Sequence, residues 1–181
     1  LTNRVMTFSN WTTVLNATNV MLRANAAMTL PPAFTTNQMS NRVYIVCSNF
    51  PLEAGGRLDV RARGYASGGI AGNDGAGPGK GRGSTAGASA GGHGGAGAPA
   101  YGSYLPGGLT NAEVADPQAP GSGGGSHGGS ALRTGGDGGG VVRIEATGDV
   151  AIEGAVLANG GYTAADAAAG YGDWSGGGAG G

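Results

Sequence analysis

Val43-Tyr44-Ile45-Val46-Cys47 and Val142-Arg143-Ile144-Glu145-Ala146-Thr147 decide the fold, because they belong to two copies of one unit. The first, taken with Arg42, is nearly all apolar and reads as a strand buried on both faces. The second sets Val142, Ile144 and Ala146 against Arg143, Glu145 and Thr147, the period of two of a half-buried strand. Sliding the chain by 98 residues lays Val46 on Ile144, Leu52 on Val150, Ala54 on Ile152, Gly56 on Gly154 and Leu58 on Val156. One deletion later, Gly64-Tyr65 falls on Gly161-Tyr162. Each copy runs strand, turn, strand, turn, strand, and then a Gly-rich excursion. A recurring unit that cannot bury its apolar face alone stacks on its neighbour. The expected architecture is all-β: a parallel β-solenoid-like repeat, with a β-sandwich carrying Gly-rich loops as the alternative.

Working outward, the composition breaks sharply. Gly and Pro supply 50 of the 181 residues, yet residues 1–54 contain no glycine. That excludes an ordinary helical bundle, since each helical Gly costs about 1 kcal/mol, and the glycines lack collagen's period of three. The expected divisions are an arm at 1–38, a first β repeat at 39–66, a Gly-rich excursion at 67–140, a second β repeat at 141–162 and a Gly-rich tail at 163–181. In the arm, Val20, Leu22, Ala24, Ala26, Met28 and Leu30 alternate with other residues, the pattern of one long strand. Val5–Phe8 and Trp11–Leu15 read as shorter extended pieces. Arg57–Arg63 repeats the alternation, with Leu58, Val60 and Ala62 on one face.

The Gly-rich stretches carry Tyr65, Tyr101, Tyr104, Leu105, Leu132, Tyr162, Tyr171 and Trp174 among their glycines. Flexible linkers lack such residues. The expectation is ordered, polyglycine-II-like strands with three residues per turn, packed side by side where Gly permits close backbone approach.

The ordered set Gly64-Tyr65, Gly77–Gly81, Gly91-Gly92-His93-Gly94-Gly95, Tyr101-Gly102-Ser103, Asp116–Gly125, Gly138–Ile144 and Ala158–Gly161 resembles a known family. It is similar to the Gly-rich β-repeat modules of large secreted or cell-surface proteins of bacteria and some eukaryotes. The resemblance covers about residues 40–175. It implies an extracellular structural module, brings no catalytic residues, and makes His93, Tyr101, Tyr65 and Tyr162 parts of a structural motif.

Candidate chemistry is sparse. Asn10-Trp11-Thr12 and Asn16-Ala17-Thr18 are N-x-Thr sequons, acceptors for glycans in a eukaryotic secretory pathway or chance triplets otherwise. Gly68–Asp74 approaches a calcium-binding nonapeptide but carries an extra residue and is not tandem, so a plain turn is the simpler reading. Asp74, Asp137 and Asp173 each stand alone in a Gly run, where a calcium site needs converging oxygens. No cofactor is expected. His93 and His127 lack companions at metal-ligand spacing. Asp149 and Glu153 on one outward face could pair with Arg57 and Arg61 between stacked coils, and no paired carboxylates suit acid–base work. The chain is not expected to be an enzyme. The single Cys47 lies among apolar neighbours and reads as a buried hydrophobe.

Charge is balanced at -1 overall but runs from +5 over residues 1–82 to -6 over 83–181. No concentrated basic patch suits nucleic acid, and no apolar run is long enough to span a membrane. Leu1 in place of a start methionine, and an end inside a Gly run, suggest a processed or partial chain. The expected partner is the chain itself: a secreted subunit of a fibril or surface layer, joined head-to-tail by the strand Val20–Leu30 adding to a neighbour's sheet. The alternative is a carbohydrate-binding or adhesive module that stacks glycans on its tyrosines and Trp174.

Overall fold

Eight strands form two sheets in which every pairing is parallel. In chain order they are β1 (Val5–Thr7), β2 (Leu15–Asn19), β3 (Ala27–Thr29), β4 (Val43–Leu52), β5 (Arg57–Asp59), β6 (Val142–Ala146), β7 (Val150–Ile152) and β8 (Ala155–Leu157). One sheet has the order β1-β3-β5-β8 and the other β2-β4-β6, with β7 also on β4. The computed structural model describes residues 1–35, 39–100, 104–111, 118–128, 133–162 and 176–181, and among these the fold is all-β with no helix. The chain divides into two compact units, the first being Leu1–Pro31, Ser40–Val60 and Val141–Ala158.

In this first unit the parallel strands stand in register, and one row across them is apolar throughout. Met6, Met28, Leu58 and Val156 stand level across β1, β3, β5 and β8. Along β4 burial alternates, so Val43, Ile45 and Cys47 face the core while Tyr44 and Val46 are half-buried. The strand expected to be buried on both faces is therefore buried on one. Leu22, Met28, Leu30, Ile45, Phe50, Leu52 and Leu58 are fully enclosed and fill the core. Each such side chain contributes about 1.5–3 kcal/mol by leaving water. Burial also pushes the Cys47 thiol up, as for a structural cysteine.

The register corrects the uniform 98-residue shift. Cys47 faces Ala146 but Phe50 faces Val150, so Thr147-Gly148-Asp149 opposes only Ser48-Asn49. Val46 already faces Glu145, one residue beyond the expected partner, and the extra residue is a bulge that adds one more across β7, so Leu52 faces Ile152. Leu58 does face Val156, because the turn after Ile152 is two residues shorter than the turn after Leu52. Gly64-Tyr65 and Gly161-Tyr162 are not equivalent, since Tyr65 is buried and Tyr162 is 89% exposed.

Residues 1–31 are not a projecting arm. β2 pairs with β4 and β3 with both β1 and β5 inside the same chain. The expected strand Val20–Leu30 is broken at Asn25, which adopts a left-handed φ of 60°, a conformation that Asn tolerates better than most residues. Ala24 is exposed at that corner, while Val20, Leu22, Ala26, Met28 and Leu30 are buried in the chain's own core. Pro31-Pro32 does not turn this segment away from its own body, because its edge is already satisfied there. Likewise Arg57–Arg63 is a strand only to Asp59, and Trp11–Val14 is not a strand.

The second unit comprises Pro32–Met39, Arg61–Gly140 and Asn159–Gly181. Its centre is the buried stretch 121–126. The main chain of this stretch bonds to residues 65–68, 73–76, 81, 89, 136–139 and 176–179, six stretches of backbone around one. Bonds to a given neighbour recur every third residue: Gly121 and Gly124 N–H donate to Gly139 and Gly136 O, while Tyr65 and Gly68 N–H donate to Gly121 and Gly124 O. Ser89, Ser122 and Ser126 are fully buried. Their hydroxyls accept from the N–H groups of Arg82 (2.8 Å), Gly79 (3.0 Å) and Asn73 (2.8 Å), which satisfies buried donors that would otherwise be costly. Residues 176–179, expected in a tail, are bonded into the same body.

Close approach requires glycine here. A Cβ on Gly124 would fall on the Gly176 carbonyl, and one on Gly138 on the Gly121 carbonyl, whereas a Cβ on Gly95 meets nothing. Backbone cannot swing aside as a side-chain tip can. Gly124→Ala and Gly138→Ala should each lower stability by about 2 kcal/mol or more, and Gly95→Ala should stay within about 0.5 kcal/mol of the parent. Urea unfolding followed by circular dichroism checks the contrast.

Candidate functional site

The residues singled out from sequence do not converge on one site. Asn10 and Asn16 are both exposed, Asn16 on β2 with its side chain outward. Tyr65 is packed edge-on against Phe34, with ring centroids 4.7 Å apart. His93 is half-buried, with both ring nitrogens enclosed and without a hydrogen-bond partner among the described residues. Burial holds the His93 pKa below its ordinary value, against an opposing influence from Asn111. Tyr101, Tyr171, Asp173 and Trp174 lie outside the described residues.

The aspartates are engaged with the protein itself. Asp74 pairs with Lys80 at 3.2 Å and Arg82 at 3.5 Å and accepts the Gly83 N–H. Burial raises its pKa, but the Gly83 bond and the two cations outweigh burial and hold the carboxyl below the usual range. Asp137 accepts the Ser67 N–H at 2.7 Å. Among the described residues no three His, Cys, Asp or Glu side chains group as a metal site would need, and no helix is long and apolar enough to cross a membrane.

Sequence reasoning missed a polar ladder on the outer face of the β2-β4-β6 sheet. The Arg42 guanidinium lies 4.8 Å from the Trp11 ring centroid and 4.4 Å from that of Tyr44. Arg143 lies 5.7 Å from Tyr44, whose hydroxyl donates to Glu145 at 2.9 Å. Arg143 also donates to Glu145, and these two bonds lower the Glu145 pKa, Arg143 first. A second ladder runs Asn19, Asn49 and the Asp149 N–H, at 2.9 and 3.1 Å. Residues about 30 and 100 positions apart meet only through the parallel register, so local patterning gives no sign of either ladder. An ion pair joins Arg23 to Glu53 at 3.7 Å.

The two ends of the first unit differ. At one end Val150, Ile152 and Val156 are 49%, 53% and 43% exposed, although their level partners Phe50, Leu52 and Leu58 are at most 1% exposed. These side chains share the orientation of their buried partners, and among the described residues no further strand pairs beyond β7 and β8. At the other end Met6, Thr7, Phe8, Ser9, Thr13, Val14 and Leu15 line a shallow pocket of about 160 Å³. That is below the size of an ordinary small-molecule site.

Comparison with known proteins gave no matching family model, curated protein or solved structure.

Two outcomes follow from this geometry. Expression in a eukaryotic secretory pathway should add glycans at Asn10 and Asn16, and intact mass before and after glycosidase treatment should fall accordingly; an unchanged mass contradicts this. For His93, the folded pKa is depressed, so the unfolded chain takes up the proton first. Stability should therefore be complete above pH of about 6.5 and fall as the pH drops from there toward the folded pKa. His93→Gln should flatten that slope, measured as melting temperature between pH 7.5 and 5.5.

Proposed function

We propose that the protein is an extracellular structural module, the subunit of a self-assembling fibril or surface layer. In this reading the first unit is a short parallel β-solenoid, each pass adding a level to both sheets. The second is a polyglycine-II-like bundle. All pairings being parallel supports the solenoid over a sandwich, whose sheets are built from antiparallel strands. The likeness to Gly-rich modules of secreted and cell-surface proteins supports the extracellular setting.

The observation that carries the reading is how the polar groups are used. Stretch 121–126 spends its N–H and C=O groups on six surrounding backbones, and Ser89, Ser122, Ser126, Asp74 and Asp137 are turned inward on the same main chain. Such a body resists deformation and offers little chemistry to a substrate. The adhesive alternative draws on Tyr104 and Tyr162, which are 97% and 89% exposed. Aromatic faces of this kind stack on sugars.

Negative-stain microscopy across a concentration series separates the two readings. The structural reading expects regular particles that lengthen with concentration. A chain that stays monomeric throughout, yet saturably binds a defined glycan, would establish the adhesive reading instead.

A further inference from the structure

We propose that the β6–β7–β8 end of one molecule seats the Leu1–Thr7 end of a second copy, an inference that rests on the self-assembling reading above. Two apolar columns run across the strands of the first unit. Arg23 N–H donates to Leu1 O, which sets Leu1 opposite Leu22. Leu22 bridges to Leu52, and Leu52 faces Ile152. The second column is Met6, Met28, Leu58 and Val156. The inner members Leu22, Met28, Leu52 and Leu58 are at most 1% exposed, while the terminal Leu1, Ile152 and Val156 are 37%, 53% and 43% exposed. Placing the partner's Leu1 on Ile152 and the partner's Met6 on Val156 continues both columns with the residue types they already contain.

The main chain is prepared for the same contact. Ala155 N–H donates to Gly56 O and Leu157 O accepts from Val60 N–H, so residues 155 and 157 face β5 and the N–H and C=O of Val156 face away. Arg4 O accepts from Ala27 N–H and Phe8 N–H donates to Thr29 O, which leaves the main-chain groups of Val5 and Thr7 on the open side of β1. Both are free edges of one parallel sheet, so β1 of a second copy can add to β8 as β8 adds to β5. Unpaired edges of this kind invite strand addition.

Charge selects this pairing of ends over a symmetric one. Residues 1–31 hold Arg4 and Arg23 and no acidic residue, whereas residues 141–158 hold Glu145, Asp149 and Glu153 against Arg143 alone. Two copies of the acidic end would repel. In the head-to-tail register Arg4 stands level with Ala26, Gly56 and Gly154, which brings the partner's Arg4 beside Glu153. β1 lies one level beyond β2. The β2-β4-β6 sheet is therefore left one strand short at the join, a gap of about 10 Å at the usual strand spacing. The join is the weakest level of the stack, and assembly depends on concentration. A heterologous contact repeated in this way gives an open filament.

Sedimentation velocity of the 181-residue chain tests the contact, with circular dichroism confirming that each variant is folded. Ile152→Asp with Val156→Asp spoils one end at positions already half exposed. Thr7→Pro removes an outward N–H at the other. Each variant alone should remain monomeric, and an equimolar mixture should give a heterodimer and nothing larger, because each partner keeps one good end. Arg4→Glu should weaken wild-type assembly by about tenfold, and adding Glu153→Arg to the same chain should restore it. Assembly that survives both end variants, or a mixture that stays monomeric, overturns the contact while leaving the self-assembly reading intact. A wild-type chain that remains monomeric at every concentration overturns both.

Discussion

Six backbones can surround one only where no Cβ stands between them. Around residues 121–126 the N–H and C=O groups point in several directions in turn, and both groups of Gly121, Gly123, Gly124 and Gly125 find main-chain partners because the neighbouring stretches approach within hydrogen-bonding distance. This constraint accounts for the composition more directly than any flexibility does. The glycines at 124 and 138 are there for lack of room, not for freedom of rotation, since a methyl group at either would strike a carbonyl. The serines at 89, 122 and 126 fit the same scheme. They are small enough to enter, and each returns an acceptor to a buried N–H. A bundle of this sort has almost no apolar core, so its stability comes from satisfying donors and acceptors that water would otherwise satisfy.

The first unit is held by the opposite means. There the strands are three to ten residues long, and side chains of like size stack in register to make a core of Leu, Met, Val, Ile and Phe. The outer face carries the Trp11–Arg42–Tyr44–Arg143–Glu145 ladder, a set of exposed or half-buried contacts. One chain thus uses two different ways of closing a protein interior, one through side chains and one through backbone. At the β7 and β8 edge Val150, Ile152 and Val156 are exposed while the residues level with them on β4 and β5 are buried.

Much of this architecture was legible in the sequence. The alternation of Val142–Thr147 and the likeness between the two repeats pointed to stacked parallel strands, whereas the apolar face of Val20–Leu30 suggested a strand for a neighbouring copy and instead serves the chain's own core. What failed did so for local reasons. The bulge at Thr147–Asp149 and the shorter turn after Ile152 both shift the register, and an alignment by residue type cannot sense either. Asn25 turns the chain inside a stretch whose alternation continues on both sides of it, so period two alone cannot find the corner. The polar ladders join residues that meet only once the register is known. The surroundings of His93 and Tyr65 depend on which Gly-rich stretches lie side by side, and runs of glycine carry no pattern that encodes a neighbour.

The central claim is that the Gly-rich body is held by backbone hydrogen bonds converging on residues 121–126. Amide hydrogen exchange resolved to single residues tests it most directly, because every N–H from Gly123 to Ser126 has a named main-chain acceptor. The account predicts that these amides exchange slowly and as a group, opening only with the unfolding of the whole bundle. Exchange at the rate of an unstructured peptide across Gly123–Ser126 would contradict it.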